Sequence, residues 1–433
     1  MIKVLKSDDL ALSGLLYRRE VDKKDIAGQV AKIIEAVCNE GDGALIRLTK
    51  EFDKADLTKD QLKVTTAEIE EAYQLVDAKV LESLRLARDR INAFHQKQRS
   101  DSWFEPDAEG TVMGQMVRPL YRVGSYVPGG IASYPSSVLM NIVPAKVAGV
   151  KEIVMVTPPG KDGKVNPYTL VAAAEAGATE IYKVGGAQAI AALAYGTQTI
   201  RPVDKITGPG NIYVTIAKQL VYGKVGIDML AGPSEVLVIA DSNANPAYAA
   251  ADMLSQAEHD PLAASILLTP DQQLAQKVQQ ELEKQLIDSP RRNVAKRSLG
   301  DYGTIVITKD LDEAFNLANR FAPEHLELLV DDPFTWVGRV QNAGSIFMGP
   351  YAPEPVGDYL AGPNHILPTG GTAKFYSGLN VDTFIKKSTV ISFSKATLAR
   401  LGEHVVRLAE VEGLDAHANA VRLRLKNIEN GND

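Results

Sequence analysis

The sequence predicts an α/β protein with two Rossmann-like, doubly wound modules, an N-terminal arm and a small C-terminal helical domain. From about residue 120, short apolar segments alternate with helical ones, a pattern typical of βαβ units and of parallel sheets covered on both faces. The predicted strands are Ile153–Val156, Ile181–Val184, Val236–Ala240, Ile266–Leu268, Thr304–Thr308 and Ser345–Met348. These units are too many for one small sheet, so two modules are expected.

Length and composition narrow the class of protein. A chain of 433 residues with 45% hydrophobic content can bury a large core and is expected to form two or three domains. Its net charge of −7 argues against nucleic acid or an anionic membrane as the main partner. No apolar run reaches transmembrane length, and the N-terminus lacks a signal-peptide hydrophobic region. A soluble, cytoplasmic protein is therefore expected.

Helical patterns follow a featureless N-terminal stretch. Residues 1–20 carry little pattern and are predicted to form an arm, and Thr65 with Glu68 offers a capping box for a later helix. The clearest helix has apolar residues at intervals of four and three, at Val80, Leu84, Ala87, Ile91 and Phe94. His95 ends this helix and is interpreted as a surface or end-of-helix histidine without chemistry.

Cysteine is nearly absent from the chain. Cys38 stands alone on the apolar stripe of an amphipathic helix, so a buried core position is predicted for it. A single cysteine provides neither a disulfide framework nor a thiolate metal site. Its distance in sequence from other reactive residues argues against a thiol-based aldehyde dehydrogenase mechanism.

The segment after about residue 378 has a different pattern of predicted strands and helices. A short polar strand (STVISF) precedes a predicted helix at 396–412 and a second helix at 416–427. Two amphipathic helices and one strand cannot bury their apolar faces alone. This small domain is therefore expected to dock on another surface.

Three glycine-rich turns lie in the first α/β region, at 123–130, 184–189 and 207–211. Each follows an apolar strand, and such turns at strand C-terminal ends are where doubly wound sheets bind ligands. Their free amides and the following helix N-termini suit a pyrophosphate. None matches the G-x-G-x-x-G dinucleotide fingerprint, and tight βα turns alone explain the glycines equally well.

Gln256 and His259 are three residues apart near the end of a predicted helix that begins near Pro246, so their side chains would be neighbours on one face. Such a pair can form half of a metal site, although it also occurs often by chance. His325 follows Glu324 at the entrance to a predicted strand. A histidine pKa of about 6.5 suits a general base at neutral pH.

Further histidines stand in unusual settings among the six of the chain. His365 lies in a Gly/Pro-punctuated loop that Asp358 opens, and His417 lies at a helix–helix junction five residues after Glu412. His404 is interpreted as structural or solvated. Each histidine taken alone is more often structural than functional. Together, a glutamine, two histidines and an aspartate form a plausible zinc ligand set, because nitrogen and oxygen donors without thiolate suit that ion.

Seven motifs together resemble the histidinol dehydrogenase family: SQAEHD, FAPEHL, GDYLAGPNHILPT, VEGLDAH, VGGAQAIAALAYGT, GPGN and AGPSEVLVIAD. They occur in the order of the family, and the resemblance extends from the N-terminal helices to about residue 425. It implies an enzyme that oxidises L-histidinol to L-histidine in two NAD-dependent steps, through L-histidinaldehyde. It also implies one zinc ion per subunit that orients the substrate through its imidazole and amino nitrogens.

The resemblance implies a role for each matching position. The zinc ligands are expected to be Gln256, His259, Asp358 and His417, which thereby contact the substrate. His325 is expected to act as the general base in both oxidations, and Glu324 to activate water for attack on the aldehyde. The other substrate contacts, again including His325, are expected at Ser234, His365 and Glu412. The NAD contacts are expected in the glycine-rich turns, at Tyr126, Gln188 and Asn211.

The resemblance further implies a homodimer in which Glu412 and His417 complete the site of the neighbouring subunit. It implies an arm at 1–20, a first domain at 21–125 and 236–378, an inserted NAD-binding domain at 126–235, and a C-terminal domain at 379–433 that docks on the partner.

Two other functions remain open. The first is a paralogous zinc- and NAD-dependent dehydrogenase of another small polyol, such as a sulfonated diol. An anionic substrate would require Arg or Lys where this chain has Glu412 and His365. The second is a non-catalytic, zinc-stabilised binding protein, which would be expected to lack Glu324 or His325. A metal-free Rossmann binding protein does not explain the glutamine, histidine and aspartate set.

Overall fold

The computed structural model describes residues 2–9, 24–129 and 134–431 of the chain. Most of the predicted N-terminal arm, and Gly130 of the first glycine-rich turn, lie outside the described residues. The chain forms two compact units, one made of Met1–Gln98 and Leu120–Phe384, the other of Arg99–Pro119 and Ile385–Asp433.

The strands in chain order are β1 (Lys3–Lys6), β2 (Trp103–Pro106), β3 (Val112–Pro119), β4 (Arg122–Tyr126), β5 (Glu152–Thr157), β6 (Glu180–Lys183), β7 (Lys205–Thr207), β8 (Gly226–Ile227), β9 (Glu235–Ala240), β10 (Ala264–Thr269), β11 (Thr304–Ile307), β12 (His325–Leu329), β13 (Ser345–Met348) and β14 (Ile385–Ser392). The α-helices are Lys24–Glu40, Asp42–Phe52, Thr66–Leu75, Ala78–Gln96, Pro135–Ala148, Pro167–Ala176, Gly186–Tyr195, Ile212–Val221, Pro246–Ala257, Gln272–Asp288, Arg292–Asp301, Leu311–Phe321, Pro333–Trp336, Glu354–Tyr359, Lys395–Val411 and Asp415–Glu429. Short 3₁₀ turns occupy Lys59–Gln61, Val337–Arg339, Thr372–Lys374 and Val381–Phe384.

Two parallel sheets form the first unit, which confirms the predicted α/β class. The five-stranded sheet has the order β6-β5-β4-β7-β8, and the six-stranded sheet has the order β1-β11-β10-β9-β12-β13. In the five-stranded sheet the chain starts at the central β4, winds outwards through β5 to β6 and then crosses to β7 and β8. The six-stranded sheet repeats this order from β9 onwards, and β1 is added at its edge beside β11. This doubly wound order creates a switch point between β4 and β7 in one sheet and between β9 and β12 in the other.

Both faces of the five-stranded sheet are buried, as expected for a parallel sheet covered by helices. Successive residues of β5 show this directly, because Ile153 and Met155 pack into one apolar core while Val154 and Val156 pack into another. All four side chains are fully buried. This burial explains why β5 is an unbroken apolar run in the sequence instead of an alternating one.

The second unit combines a three-stranded antiparallel sheet with two helices. The strand order is β14-β3-β2, so residues 99–119 belong with the C-terminal segment although they are distant from it in sequence. The helices Lys395–Val411 and Asp415–Glu429 match the two predicted there. Val406, Ala409 and Ala418 form their small shared core.

Two predictions about the N-terminal helices are wrong. Cys38 is exposed, because it lies one residue beyond the buried Val37 and a helix turns about 100° per residue. His95 is fully buried, because the buried face of its helix continues from Ile91 to His95 and leaves Phe94 exposed. The ring of His95 contacts Gln98 through Nδ1, at 2.7 Å. The capping box of Thr65 and Glu68 is present as predicted.

Candidate active site

The first residues of β9 and β12 bring two buried acids and one histidine together. Glu324 and His325 are only 6% and 4% exposed, and Glu235 is fully buried. The amide N–H of Glu235 donates to Glu324 Oε2 at 2.9 Å, and the amide N–H of Glu324 donates to Glu235 Oε2 at 3.3 Å. This reciprocal pair fixes the carboxylates between the two strands that flank the switch point.

The tautomer of His325 follows from one backbone contact. Its Nδ1 lies 2.9 Å from the carbonyl oxygen of Glu235, which can only accept a hydrogen bond. Nδ1 therefore carries the proton, and the lone pair of the neutral ring is on Nε2, which is buried without a hydrogen-bond partner among the described residues. Burial lowers the pKa of His325 to about 4. The ring is thus a neutral base at neutral pH.

Glu324 is shifted in the opposite sense. Burial, and then the neighbouring charge of Glu235, raise the pKa of Glu324 well above its usual range. The protonated form of Glu324 is therefore favoured, and the fraction in the basic carboxylate form increases as the pH rises. Sequence reasoning missed Glu235, because a glutamate at the start of an apolar strand is not distinguishable there from a surface residue.

A residue in a strained backbone conformation directs the chain towards Glu324 and His325. Ala322 ends the helix Leu311–Phe321 with φ 54°, a left-handed conformation that costs a non-glycine residue about 1 kcal/mol. Pro323 follows immediately, and Glu324 and His325 begin the strand. Sparsely populated backbone conformations of this kind cluster at functional sites.

A possible metal site is formed by His259, Glu354 and Asp358, each of which offers one ligand atom within 4.8 Å of the others. His259 follows the helix Pro246–Ala257, while Glu354 and Asp358 lie one turn apart on the short helix Glu354–Tyr359. Burial raises the pKa of Asp358 to about 6, and burial with the charge of Asp358 raises that of Glu354 to about 7. Two carboxylates held this close favour either a shared proton or a cation.

The side chain of Gln256 independently indicates a binding site for a ligand. Its side chain is 1% exposed, and neither its oxygen nor its nitrogen has a hydrogen-bond partner among the described residues. Burying an unpartnered amide costs free energy, and a coordinated cation would satisfy its oxygen. The amide N–H of His259 donates to the Gln256 carbonyl at 3.2 Å, so the two residues share one helical end. Imidazole, carboxylate and amide donors together fit Zn²⁺.

The structure therefore brings together two of the four predicted ligands, His259 and Asp358, and adds Glu354. The sequence analysis missed Glu354, although its spacing of four residues from Asp358 in PEPVGD was a usable signal. His417 and Glu412 belong to the second unit, where both side chains are exposed.

His365 contacts the backbone of Asp358. Its Nδ1 lies 3.0 Å from the carbonyl oxygen of Asp358, and its Nε2 lies 3.2 Å from Ser137 Oγ. The carbonyl again requires a proton on Nδ1, so Nε2 accepts from the serine hydroxyl. Burial lowers the pKa of His365 to about 4 and keeps the ring neutral. Ser234 is half-buried directly before β9, and its carbonyl accepts from the amide of Ala264.

The three glycine-rich turns meet at the carboxyl edge of the five-stranded sheet. The hydroxyl of Tyr126, at the end of β4, accepts from the amide of Gly186 at 3.1 Å. Gln188 is buried, and its Oε1 has no partner among the described residues. A Cβ on Gly208 would lie 2.1 Å from the Tyr126 carbonyl oxygen, and its φ is 110°. Only glycine fits where the turns after β4 and β7 approach each other.

Asn211 caps the helix Ile212–Val221 through its Oδ1, which accepts from the amides of Tyr213 and Val214. The turn before it is held by a buried ion pair of Lys218 and Asp228. Lys218 Nζ donates to the Gly208 carbonyl at 3.0 Å, and Asp228 Oδ2 accepts the Gly208 amide at 2.8 Å. A rigid turn that leads into a helix N-terminus suits a phosphate group, so these residues fit NAD.

No helix within the described ranges is both long and apolar enough to cross a membrane. A sequence profile of the family described as "Histidinol dehydrogenase" matches residues 16–425. Histidinol dehydrogenase of Heliobacterium mobile is 56% identical over 426 residues, which cover 98% of this chain and 100% of the relative. That of Moorella thermoacetica is 58% identical over 412 residues, or 95% and 96% of the two chains.

Among solved structures, the crystal structure of histidinol dehydrogenase from Elizabethkingia anophelis is 40% identical and superposes with a TM-score of 0.95 over 99% of each chain. The sequence profile, the full-length relatives and the shared fold agree with one another. The chain belongs to the histidinol dehydrogenase family of oxidoreductases.

Proposed function

We propose that this protein oxidises L-histidinol to L-histidine through L-histidinaldehyde, with four electrons passing to NAD, as the last steps of histidine biosynthesis in the cytoplasm. The observation that carries the proposal is the buried, unpartnered Nε2 of the neutral His325 ring beside Glu324. Membership of the family, with relatives at 56% and 58% identity, supports the choice of substrate.

Gln256, His259, Asp358 and His417 would hold one zinc ion per subunit. The ion, when bound, holds the substrate by its imidazole and amino nitrogens and so orients the carbinol group. The unpartnered amide of Gln256 and the proximity of His259 to Asp358 support this assignment.

Tyr126, Gln188 and Asn211 would contact NAD, which accepts the hydride when bound. The convergence of their three turns at a switch point supports an NAD-binding domain at 126–235. This domain would be inserted between 21–125 and 236–378, after an arm at 1–20, although residues 99–119 pair with the C-terminal segment.

The protein residues then have two tasks in proton transfer. His325 Nε2 takes the hydroxyl proton of histidinol as hydride departs, and the Glu235 carbonyl stabilises the imidazolium that forms because it accepts from Nδ1–H. After the first oxidation, Glu324 in its carboxylate form takes a proton from the water that attacks the aldehyde. His325 acts again as base when the hydrate is oxidised. No thiolate takes part in this sequence.

Ser234, His365 and Glu412 would complete the substrate contacts, since a carboxylate and an imidazole are suitable partners for a cationic amino alcohol. We further propose a homodimer in which residues 379–433 dock on the partner, so that Glu412 and His417 reach its site. The exposure of Val405, Leu408 and Val411 on one helix supports a covered face.

The test is NADH formation by purified, zinc-loaded protein with L-histidinol. We expect NADH formation that a chelator abolishes and added zinc restores. No NADH with histidinol under these conditions would contradict the proposal, and NADH with a sulfonated diol instead would favour the paralogous dehydrogenase.

A further inference from the structure

Glu354 has no part in the reaction proposed above, yet it lies within the metal site. Its side chain is only 2% exposed, and its ligand atom lies within 4.8 Å of those of His259 and Asp358. Buried carboxylates are normally paired or coordinate a metal. No lysine or arginine among the described residues forms an ion pair with Glu354.

The backbone around Glu354 is anchored independently of any ligand. Its amide donates to Glu327 Oε1 at 2.8 Å, and Glu327 belongs to the central strand β12. Its Oε2 accepts a hydrogen bond from Ser255 Oγ at 3.0 Å, and Ser255 directly precedes Gln256. The carboxylate is thereby held at the helical end that carries Gln256 and His259.

The number and charge of the donors fit a divalent ion. Gln256, His259, Glu354 and Asp358 supply one amide, one imidazole and two carboxylates, and all belong to the first unit. Two carboxylates balance the charge of Zn²⁺, and four donors suffice for its usual tetrahedral coordination. The buried side-chain amide of Gln256, which has no hydrogen-bond partner within the part of the chain that the structure describes, is a second and separate indication of a ligand here.

We propose that Glu354 is a further, direct ligand of the zinc ion in the substrate-free enzyme, beside Gln256, His259 and Asp358 of the first unit and the His417 assigned above. The inference rests on the zinc site of the proposed function. Binding of the two substrate nitrogens would displace the Glu354 carboxylate from the ion. The ion would thus be retained between turnovers without help from the substrate.

The test compares Glu354→Gln with the unaltered full-length protein and with Glu258→Gln as a charge-matched control. Glu258 is a partly exposed neighbour of His259 that is not among the clustered ligand residues. Zinc affinity is measured by competition with a chromogenic chelator. The visible absorption of the Co²⁺-substituted proteins, recorded without substrate, reports on the ligands themselves. Thermal unfolding in the presence of chelator shows whether each variant is folded.

We expect Glu354→Gln to bind zinc about 100-fold more weakly, to show an altered Co²⁺ spectrum, and to unfold at the normal temperature in chelator. Glu258→Gln should stay within about twofold in zinc affinity, since removing an exposed charge has little effect. Unchanged zinc affinity in Glu354→Gln would overturn the proposal. So would weaker binding with an unchanged Co²⁺ spectrum, or an equal loss in Glu258→Gln. Failure of the protein to oxidise histidinol would refute the proposed reaction but leave these metal measurements intact.

Discussion

A single backbone carbonyl determines the chemistry of His325. Because the carbonyl of Glu235 can only accept, the proton is fixed on Nδ1 and the lone pair is on Nε2. The lowered pKa of about 4 keeps this arrangement throughout the neutral range. The folded protein therefore gives His325 the tautomer and the neutral state that the proposed general base requires.

Replacement of His325 by asparagine is expected to lower turnover with L-histidinol by about 10²- to 10⁴-fold, because the acceptor for the hydroxyl proton is lost. Zinc content should stay that of the unaltered protein, since His325 is not among the expected ligands. The measurements are NADH formation and metal analysis of the same preparation. His404→Asn is a matched control, because His404 is an exposed helix residue whose ring Nδ1 contacts Arg407. Normal turnover in His325→Asn would contradict the assignment of the base.

The raised pKa of Glu324 predicts a pH dependence for the second half-reaction that the first half-reaction lacks. A base with a raised pKa is protonated and inactive at low pH and gains activity as pH rises through that pKa. Oxidation of added L-histidinaldehyde should therefore increase with pH over the neutral and alkaline range, and Glu324→Gln should abolish this increase. His325 remains unprotonated above its pKa of about 4, so it adds no dependence there. An aldehyde oxidation rate independent of pH would rule out Glu324 as the base for water.

The same residues show where sequence reasoning stops. The motifs identified Glu324 and His325, but the partner Glu235 became visible only when β9 and β12 were paired. The tautomer also depends on that pairing, since the carbonyl comes from the neighbouring strand. Glu354 escaped notice because its burial results from contacts with Glu327 and Ser255, which are distant in sequence.

At the scale of elements, apolar runs predicted six strands of the two parallel sheets. Each predicted strand coincides with an observed one to within about two residues, because a parallel strand buried on both faces has to be apolar throughout. The burial of individual helix residues was harder to predict. Packing against neighbouring surfaces determines which face is buried in the helices that carry Cys38 and His95. An apolar stripe in the sequence predicts that face only to within about one residue.

Replacement of Gly208 by alanine is expected to weaken NAD binding about tenfold or more. The new Cβ would lie 2.1 Å from the Tyr126 carbonyl oxygen, so the turn between β7 and Asn211 has to move. Gly223→Ala is a matched control, because Gly223 also has a positive φ, of 96°, but its Cβ would meet no atom within 4 Å. Each variant is expected to lose about 1 kcal/mol of stability from backbone strain.

The measurement for this pair is the KM for NAD, together with the thermal unfolding temperature. Only Gly208→Ala should raise the KM. Equal KM values in the two variants would show that strain alone, and not the close approach of the two turns, determines the effect.

At the scale of the whole molecule, the two parallel sheets share one winding order, but the two proposed binding sites lie at opposite ends of their strands. The glycine-rich turns follow the carboxyl ends of β4, β6 and β7, as the rule for doubly wound sheets predicts. Glu324 and His325 instead lie at the amino end of β12. The second unit has a small core and exposes large apolar side chains, including Leu408 and Val411. Both features are consistent with a partner subunit at this surface.

A shared active site predicts complementation between two inactive variants. His325→Asn and His417→Ala homodimers should each be nearly inactive. In a heterodimer, one site would contain both changes and the other neither, if His417 acts in the partner's site. Co-expression with different tags should therefore restore about a quarter of normal activity, because half of the dimers would be mixed and each would have one intact site. No recovery in purified heterodimers would place His417 in the site of its own chain.

The central claim is a four-electron oxidation in one site, and the stoichiometry of the reaction tests it most directly. A limiting amount of L-histidinol is converted to completion by the zinc-loaded protein, and both NADH and L-histidine are measured. Two NADH and one L-histidine per L-histidinol are expected. One NADH with free L-histidinaldehyde as the product would contradict the role of Glu324 and the second oxidation.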